Sequence, residues 1–239
     1  MKQYFANFVD DVATTHGDNL AAIILYGSAA AGDYISGSSD YNILIALHKI
    51  TPLDLRDAHA CIREWTRLGH PVPVYFSVHE LKTAGDVFPI ELHQMEFARK
   101  VLYGEDVLAD VVISDRYLRH QTEFELRSKL LQLRRLYIPA SVSVDKLVDL
   151  MADSLASFAS IFRAILILKG RTPPITKHEI VKSVVNELNV DGSSFEKIFD
   201  IRENEGSIPL NEVSANQLFG DYLEQIEQVI DAVDQLNQS

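Results

Sequence analysis

The sequence contains a single cysteine, Cys61, and no uninterrupted apolar run that approaches the roughly 18 residues of a membrane-spanning helix. One cysteine cannot form an internal disulfide, and no spacing of cysteine and histidine is typical of a zinc site. The first twelve residues carry charges and lack a long apolar core, so they do not predict a signal peptide. These features favour a cytoplasmic protein without a membrane-embedded part.

Basic residues are also scarce, with 22 lysines and arginines against 34 acidic residues and a formal net charge of −12. A surface this acidic repels nucleic-acid phosphates, which argues against general DNA or RNA binding. Hydrophobic residues make up 47% of the chain and charged residues 23%, which excludes a disordered composition. A length of 239 residues allows one long domain or two small ones.

The first half of the chain alternates between helical and strand-like patterns. Helical spacing of apolar residues predicts helices over 2–16, 54–68 and 92–102. Short apolar runs predict strands over 21–26, 43–47 and 72–78, and the prolines of the third strand indicate an edge strand or a strand margin. A glycine- and serine-rich loop over 27–39 joins the first two strands.

The second half shows only helical patterns. Helices are expected over 117–137, 143–168, 177–188 and 216–236. Ser143 is a candidate N-cap and Gly170 a candidate C-cap. The sequence therefore predicts an α+β chain, in which residues 1–110 form a small sheet domain and residues 111–239 form an all-helical bundle.

One segment combines residues that suit phosphate chemistry. The first strand ends in Gly27-Ser28, eleven loop residues follow, and the next strand opens with Asp40-Tyr41-Asn42. Consecutive loop amides can cradle a phosphate, and residues two apart on a strand project from the same face. Asp40 and Asn42 could therefore hold a magnesium ion that bridges to a nucleotide.

This segment resembles the nucleotidyltransferase superfamily related to DNA polymerase beta, which includes the aminoglycoside nucleotidyltransferases. Gly27, Ser28 and Asp40 match its pattern of Gly-Ser followed by Asp-x-Asp, and Gly32-Asp33 matches a Gly-Asp often found in its loop. The resemblance implies a mixed sheet flanked by helices, followed by a helical bundle. It also implies an NTP substrate, Mg²⁺ at Asp40, phosphate binding at Gly27 and Ser28, and a hydroxyl acceptor on a small molecule or a protein.

Two positions depart from the family pattern. Asn42 stands where the family has its second carboxylate, and the third predicted strand, where the family has another, contains no acid. A single carboxylate predicts weak or absent Mg²⁺ binding, and the general base is missing. The alternative is therefore a catalytically inactive module that binds a nucleotide or a partner, with the bundle serving that partner or a dimer.

Three other acids, Asp33, Asp86 and Glu91, could replace the missing carboxylates. A local role explains two of them more simply, because Asp86 can cap a turn and Glu91 can lie in the first turn of a helix. Gly27-Ser28 and Asp40 also have individual explanations as turn residues. Their combination between two strands nevertheless favours the nucleotide-binding interpretation.

A basic turn in the helical half contains Lys169, Arg171 and Lys177. The resemblance implies that such residues face the nucleotide phosphates, whereas a solvated helix end explains them equally well. The spacing of Arg171 and His178 is similar to the motif of helical HEPN ribonucleases. The prolines between them and the acidic composition disfavour that third interpretation.

Overall fold

The computed structural model describes residues 2–31, 41–203 and 210–237. The chain divides into two compact units, Met1–Ser114 and Asp115–Ser239. The first unit carries the sheet and the second is helical. The boundary predicted after residue 110 lies in the segment that follows the last strand of the first unit.

The described part of the first unit contains six α-helices, one short 3-10 helix (Gly17–Asn19) and four strands. The helices are α1 (Lys2–His16), α2 (Ser28–Ala31), α3 (Pro52–Asp57), α4 (His59–Arg67), α5 (Val78–Thr83) and α6 (Pro89–Phe97). The strands are β1 (Leu20–Tyr26), β2 (Asn42–Leu47), β3 (Val74–Ser77) and β4 (Arg99–Gly104).

The four strands form one mixed sheet in the order β3-β2-β1-β4. β1 pairs antiparallel with both β2 and β4, and β2 pairs parallel with β3. Among the described residues β3 pairs with β2 alone, which agrees with the prediction that its prolines mark an edge or a strand margin.

Each face of the sheet carries its own apolar cluster. Side chains alternate between the two faces along β2, so Ile43, Ile45 and Leu47 pack in a cluster with residues of α1 and α4. We call this side of the sheet the α1/α4 face. Leu44 and Ala46 point the opposite way, into a cluster with residues of α5 and α6, which we call the α6 face. Both central strands are therefore covered on both sides.

The second unit is a helical bundle around one large apolar cluster. Its helices within the described residues are α7 (Leu118–Ala140), α8 (Val144–Leu168), α9 (Lys177–Leu188), α10 (Ser193–Glu203) and α11 (Glu212–Asp234). Ser143 accepts a hydrogen bond from the Lys146 amide, as expected of an N-cap. Gly170 follows the last turn of α8 with φ +66°, the left-handed conformation expected at that end.

By length and composition alone, α8 could cross a membrane, since an 18-residue window reaches a mean hydropathy of 1.6. Half of that window is buried inside the structure. Met151, Leu155 and Phe162 are each at most 1% exposed within the bundle. These contacts are those of the core helix of a helical unit.

Several sequence predictions differ from the structure. The helix predicted over 92–102 is wrong in its second half, because α6 ends at Phe97 and residues 99–104 form β4. The loop predicted from residue 27 contains the short helix α2, and residues 32–40 lie outside the described part of the chain. Ala58 divides the helix predicted over 54–68, and α5 and α10 were not predicted from the sequence pattern.

Candidate functional site

The end of β1 and the beginning of β2 lie side by side. Tyr26 is paired with Asn42 across the antiparallel ladder, and Gly27 follows with φ +80°. A Cβ atom placed on Gly27 would lie 3.3 Å from Asn42 Nδ2. Glycine is favoured here because the backbone is left-handed and because a Cβ would press on the Asn42 side chain.

Gly27 is also hydrogen-bonded on both of its polar backbone atoms. Its N–H donates to the Ala98 carbonyl at 3.1 Å, which ties the turn to the residue between α6 and β4. Its carbonyl accepts from the amides of Ala30 and Ala31 at 3.0 and 3.1 Å, which closes α2. The backbone that the sequence predicts to bind phosphate is therefore held in one conformation.

The alternation of side chains along β2 shows on which face of the sheet the Asn42 side chain lies. Tyr41 packs in the cluster of the α1/α4 face, whereas Leu44 and Tyr26 pack in the cluster of the α6 face. Because side chains alternate along a strand, Asn42 shares the α6 face with Leu44 and Tyr26. Asn42 is half-buried, as is Tyr26.

Two of the acids considered from the sequence have definite positions in the first unit. Asp86 is exposed in the turn before α6. Glu91 is half-buried in the first turn of α6, where the simpler interpretation put it. Burial raises the pKa of the Tyr26 phenol, and the charge of Glu91 raises that pKa further. Glu91 therefore lies within electrostatic range of the residue opposite Asn42.

Glu80, in the first turn of α5, helps to cap that helix. Its carboxylate accepts a hydrogen bond from the Ser77 amide at 2.7 Å, and Ser77 Oγ accepts from the Glu80 amide at 3.1 Å. The two bonds form the capping box of α5. The bond from the Ser77 amide, followed by the interaction of the Ser77 side chain with the carboxylate, lowers the pKa of Glu80. The four residues of β3 include no acid.

The described residues do not form a metal site by themselves. Within residues 2–31, 41–203 and 210–237, no three histidine, cysteine or acidic side chains are close enough to share an ion. Asn42 offers only a neutral amide oxygen, whereas magnesium favours carboxylates and phosphates. The predicted ligand Asp40 lies outside the described residues, as do Gly32 and Asp33, so its role stays a prediction.

The basic turn of the second unit has contacts of its own. Arg171 Nε donates to Glu187 Oε2 at 3.1 Å while the side chain remains 63% exposed. Lys169 lines a cavity of about 350 Å³ together with Glu187, and Lys177 begins α9 directly after the N-cap Thr176. The predicted contact of these three cations with a nucleotide stays a prediction.

His178, whose spacing from Arg171 is similar to the ribonuclease motif, has a different partner from Arg171. His178 Nε2 lies 2.6 Å from Glu196 Oε2, and the imidazole stacks on Phe199 with ring centroids 4.5 Å apart. Arg171 pairs with a residue of α9, whereas His178 pairs with a residue of α10. Both side chains therefore have structural partners that explain their presence.

No protein-family model matches the chain, and no curated protein sequence matches it. Among solved structures, it is similar to the spectinomycin adenyltransferase AAD(9) from Enterococcus faecialis, determined with ATP and spectinomycin. The TM-score is 0.59, the sequence identity is 13%, and the match covers 94% of this chain and 99% of that one. The fold is that of a nucleotidyltransferase.

The nucleotidyltransferase fold confirms the predicted α+β class, with a mixed sheet flanked by helices and followed by a helical bundle. The match extends over both units. Sequence reasoning missed the side chain of Tyr26 and the tie between Gly27 and Ala98. The tie depends on β4, whose residues carry no local signal that distinguishes them from the end of a helix.

Proposed function

We propose that the protein transfers a nucleoside monophosphate from an NTP to a hydroxyl group of a small molecule or a protein. The observation that carries this proposal is the closeness of the Gly27 turn to the Asn42 side chain at the paired ends of β1 and β2. In this fold the two features frame one end of the α6 face. The similar adenyltransferase was determined with ATP and spectinomycin, which fits an NTP donor and a small hydroxyl-bearing acceptor.

In this proposal each sequence feature has a defined part. The Gly27-Ser28 turn binds the β- and γ-phosphates, and Gly27 allows their close approach without donating, because its N–H is bonded to the Ala98 carbonyl. Lys169, Arg171 or Lys177 neutralises phosphate charge. Asp40 is the principal ligand of a magnesium ion that bridges to the nucleotide, with Asn42 as a weak ligand. The protein acts in the cytoplasm.

A second candidate function is a nucleotide-binding module without transfer activity. The absence of acids from β3 and the amide at residue 42 favour it, because both lower the negative charge available to a metal. The turn and its hydrogen bonds would be retained for binding alone. The two candidates therefore differ in turnover and agree in the ligand.

The test measures nucleotide binding and transfer separately. The protein is incubated with α-labelled NTPs, Mg²⁺ or Mn²⁺, and acceptors that include spectinomycin, beside Asp40→Ala and Asn42→Asp variants. We expect metal-dependent labelling that Asp40→Ala abolishes and that Asn42→Asp increases, because the aspartate restores a charged ligand. Asp86→Asn, in an exposed turn, is the matched control and should label like the parent.

Binding without labelling in the parent would favour the non-catalytic module. A gain of labelling in Asn42→Asp alone would identify a scaffold whose metal site has been weakened. Absence of nucleotide binding in the parent and in Asn42→Asp would contradict both candidates.

A further inference from the structure

The outward side of α7 carries a row of apolar side chains at seven-residue spacing. Phe124, Leu131 and Ile138 are 68%, 59% and 73% exposed, and Tyr117, the N-cap residue, is 44% exposed. Seven residues make almost two helical turns, so these four side chains follow one line, which we call the α7 stripe. The opposite side of α7 packs in the core, where Leu126 is fully buried. Exposed apolar groups in a continuous row mark an interaction surface.

A groove lies beside the α7 stripe, between α7 and α11. Its volume is about 350 Å³, and its apolar lining consists of Leu130, Leu131 and Ile230. Arg127 and Arg134 line the groove from α7, and two acidic residues line it from α11. Because Leu131 belongs to both features, the groove opens seven residues along α7 from the aromatic ring in the middle of the stripe.

The charge beside the α7 stripe changes sign along the helix. The end at Phe124 is acidic, because Glu123 and Glu125 are its neighbours in the chain. The end at Leu131 is basic and carries three arginines within nine residues: Arg127, Arg134 and Arg135. This is a local basic region on a chain whose formal net charge is −12. It favours the approach of another acidic molecule.

Two of these arginines form ion pairs at the surface of the bundle. Arg127 Nε lies 2.8 Å from Glu123 Oε1, and Arg134 Nη2 lies 2.7 Å from Glu227 Oε1. The arginine side chains remain 49% and 48% exposed. A guanidinium has five N–H donors, so each arginine can bind a further carboxylate without losing the present one.

The acidic end and the basic end are complementary under two-fold symmetry. If two copies of α7 lie antiparallel with the axis between Arg127 and Ser128, Phe124 of each copy lies beside Leu131 of the other. Each phenylalanine then fills the margin of the groove on the other copy. The exposed ring and the groove that receives it are therefore both supplied by one surface.

The same symmetry accounts for the rest of the α7 stripe. Tyr117 of each copy comes to lie beside Ile138 of the other, so all four apolar side chains are covered. On the groove side, Glu123 comes within one helical turn of Arg134 of the other copy. The apolar row and the charged groups beside it thus agree on one arrangement.

We propose that the α7 stripe and the groove beside it form the interface of a homodimer, in which a second copy of this chain binds antiparallel along α7. A second copy is the occupant because one surface carries both the ring and the groove, and both the acidic and the basic end. The inference goes beyond the proposed transfer reaction and does not depend on it.

Sedimentation velocity of the full chain over a range of concentrations measures the association. We expect a concentration-dependent dimer in the parent. Phe124→Ser should raise the dimer dissociation constant by at least about tenfold, the effect of removing an aromatic anchor near the centre of an interface. Leu53→Ser is the matched control, since it removes a 55% exposed leucine of α3 in the first unit, and it should dimerise like the parent. Circular dichroism and the thermal midpoint verify that both variants fold.

Cysteine cross-linking tests the antiparallel arrangement. Ser128→Cys should give a disulfide-linked dimer on mild oxidation, because the two-fold axis brings residue 128 of the two copies together. Ile138→Cys should not, since its counterpart would lie about 30 Å away along the helix pair. The parent, whose free Cys61 is buried, is the control for non-specific oxidation.

Each outcome bears on the interface. A dimer that Phe124→Ser weakens and Leu53→Ser does not, together with cross-linking through residue 128, would support it. A parent that stays monomeric at every concentration would overturn it, even if the α7 stripe then bound a different protein. A dimer that Phe124→Ser leaves unchanged would place the interface elsewhere. Cross-linking through Ile138→Cys would contradict the antiparallel arrangement.

Discussion

Tyr41 and Asn42 are neighbours in the chain but point to opposite faces of the sheet, and the two faces differ sharply at this end. On the α1/α4 face, the Tyr41 ring contacts Phe5 edge-on, with centroids 4.7 Å apart, and lies 4.8 Å from the His70 ring. On the α6 face, Asn42 is half-buried beside Gly27. One face is closed by aromatic rings, and the other retains polar groups.

The aromatic contacts on the closed face explain how a polar site can be held in place. The Trp65 and Phe8 rings pack at a tilt with centroids 4.3 Å apart, and the Trp65 indole N–H donates to the Pro71 carbonyl at 3.0 Å. The Tyr41 ring lies 6.4 Å from the Trp65 ring in the same cluster and is 7% exposed, so the packing of this face holds the backbone from which Asn42 projects. Rigidity on the α1/α4 face thus positions the polar end of the α6 face.

The largest expected effect comes from removing apolar volume on the closed face. Ile45 is fully buried there, so Ile45→Ala should lower the free energy of unfolding by about 2–5 kcal/mol through lost burial and a residual cavity. Urea unfolding followed by tryptophan fluorescence measures this directly, because Trp65 is the sole tryptophan and packs in the same cluster.

Ile45→Val is the matched control, with an expected loss of about 0.5–1.5 kcal/mol, since only one methylene is removed. Equal losses for the two variants would contradict a closely packed α1/α4 face. They would also remove the reason to assign the positioning of Asn42 to that face.

A smaller effect is expected where the two faces meet at the Gly27 turn. Gly27→Ala should cost about 1–2 kcal/mol, because an L-residue is disfavoured at positive φ. In addition, its methyl group would press on the Asn42 amide. Thermal unfolding gives the loss in stability, and ATP titration shows whether the displaced amide impairs the candidate site.

Gly69→Ala provides the control for backbone strain alone. Gly69 has φ +89°, and a Cβ there would have no neighbour within 4 Å. Both variants should lose stability, but only Gly27→Ala should weaken ATP binding. Equal ATP affinities in the two variants would show that the Gly27 turn takes no part in nucleotide binding.

Local patterns predict the elements whose stabilising contacts are near in sequence. The predicted bounds of α1 and α9 agree with the structure, because apolar periodicity and end signals lie within each helix; Thr176, for example, caps α9. The apolar runs that became β1 and β2 were equally clear. Their antiparallel pairing then brings Gly27 next to Asn42, as the predicted site requires.

The elements that failed depend on partners distant in the chain. Residues 99–104 form β4 because Arg99 pairs with Tyr26 and Tyr103 with Ile23, and no local signal separates these residues from the preceding helix. Because β4 was not predicted, the hydrogen bond from the Gly27 amide to the Ala98 carbonyl could not be expected either.

The smallest expected effect lies at the other end of the β1–β2 pair, where Asp54 joins three segments. Its carboxylate accepts hydrogen bonds from the Thr51 amide at 2.8 Å, from Thr51 Oγ1 at 2.5 Å and from Asn19 Nδ2 at 3.0 Å. The Thr51 bonds lower the pKa of Asp54 most, against a smaller opposing effect of burial. Asn19 also binds the Lys49 backbone, so the carboxylate links the start of β1, the end of β2 and α3.

A carboxyl group whose pKa is lower in the folded than in the unfolded state stabilises the fold above the unfolded pKa, and this contribution is lost as the pH falls through the folded pKa. Asp54→Asn should therefore lower the thermal midpoint at pH 7, with the difference from the parent shrinking as the pH falls below the ordinary value of 3.8. Asp18→Asn, an exposed change beside Asn19, should leave the midpoint at pH 7 unchanged. A difference for Asp54→Asn that stays constant down to low pH would mean that shape, rather than charge, accounts for its role. ATP binding by Asp54→Asn should equal that of the parent, because Asp54 lies at the end of the strands opposite the Gly27 turn.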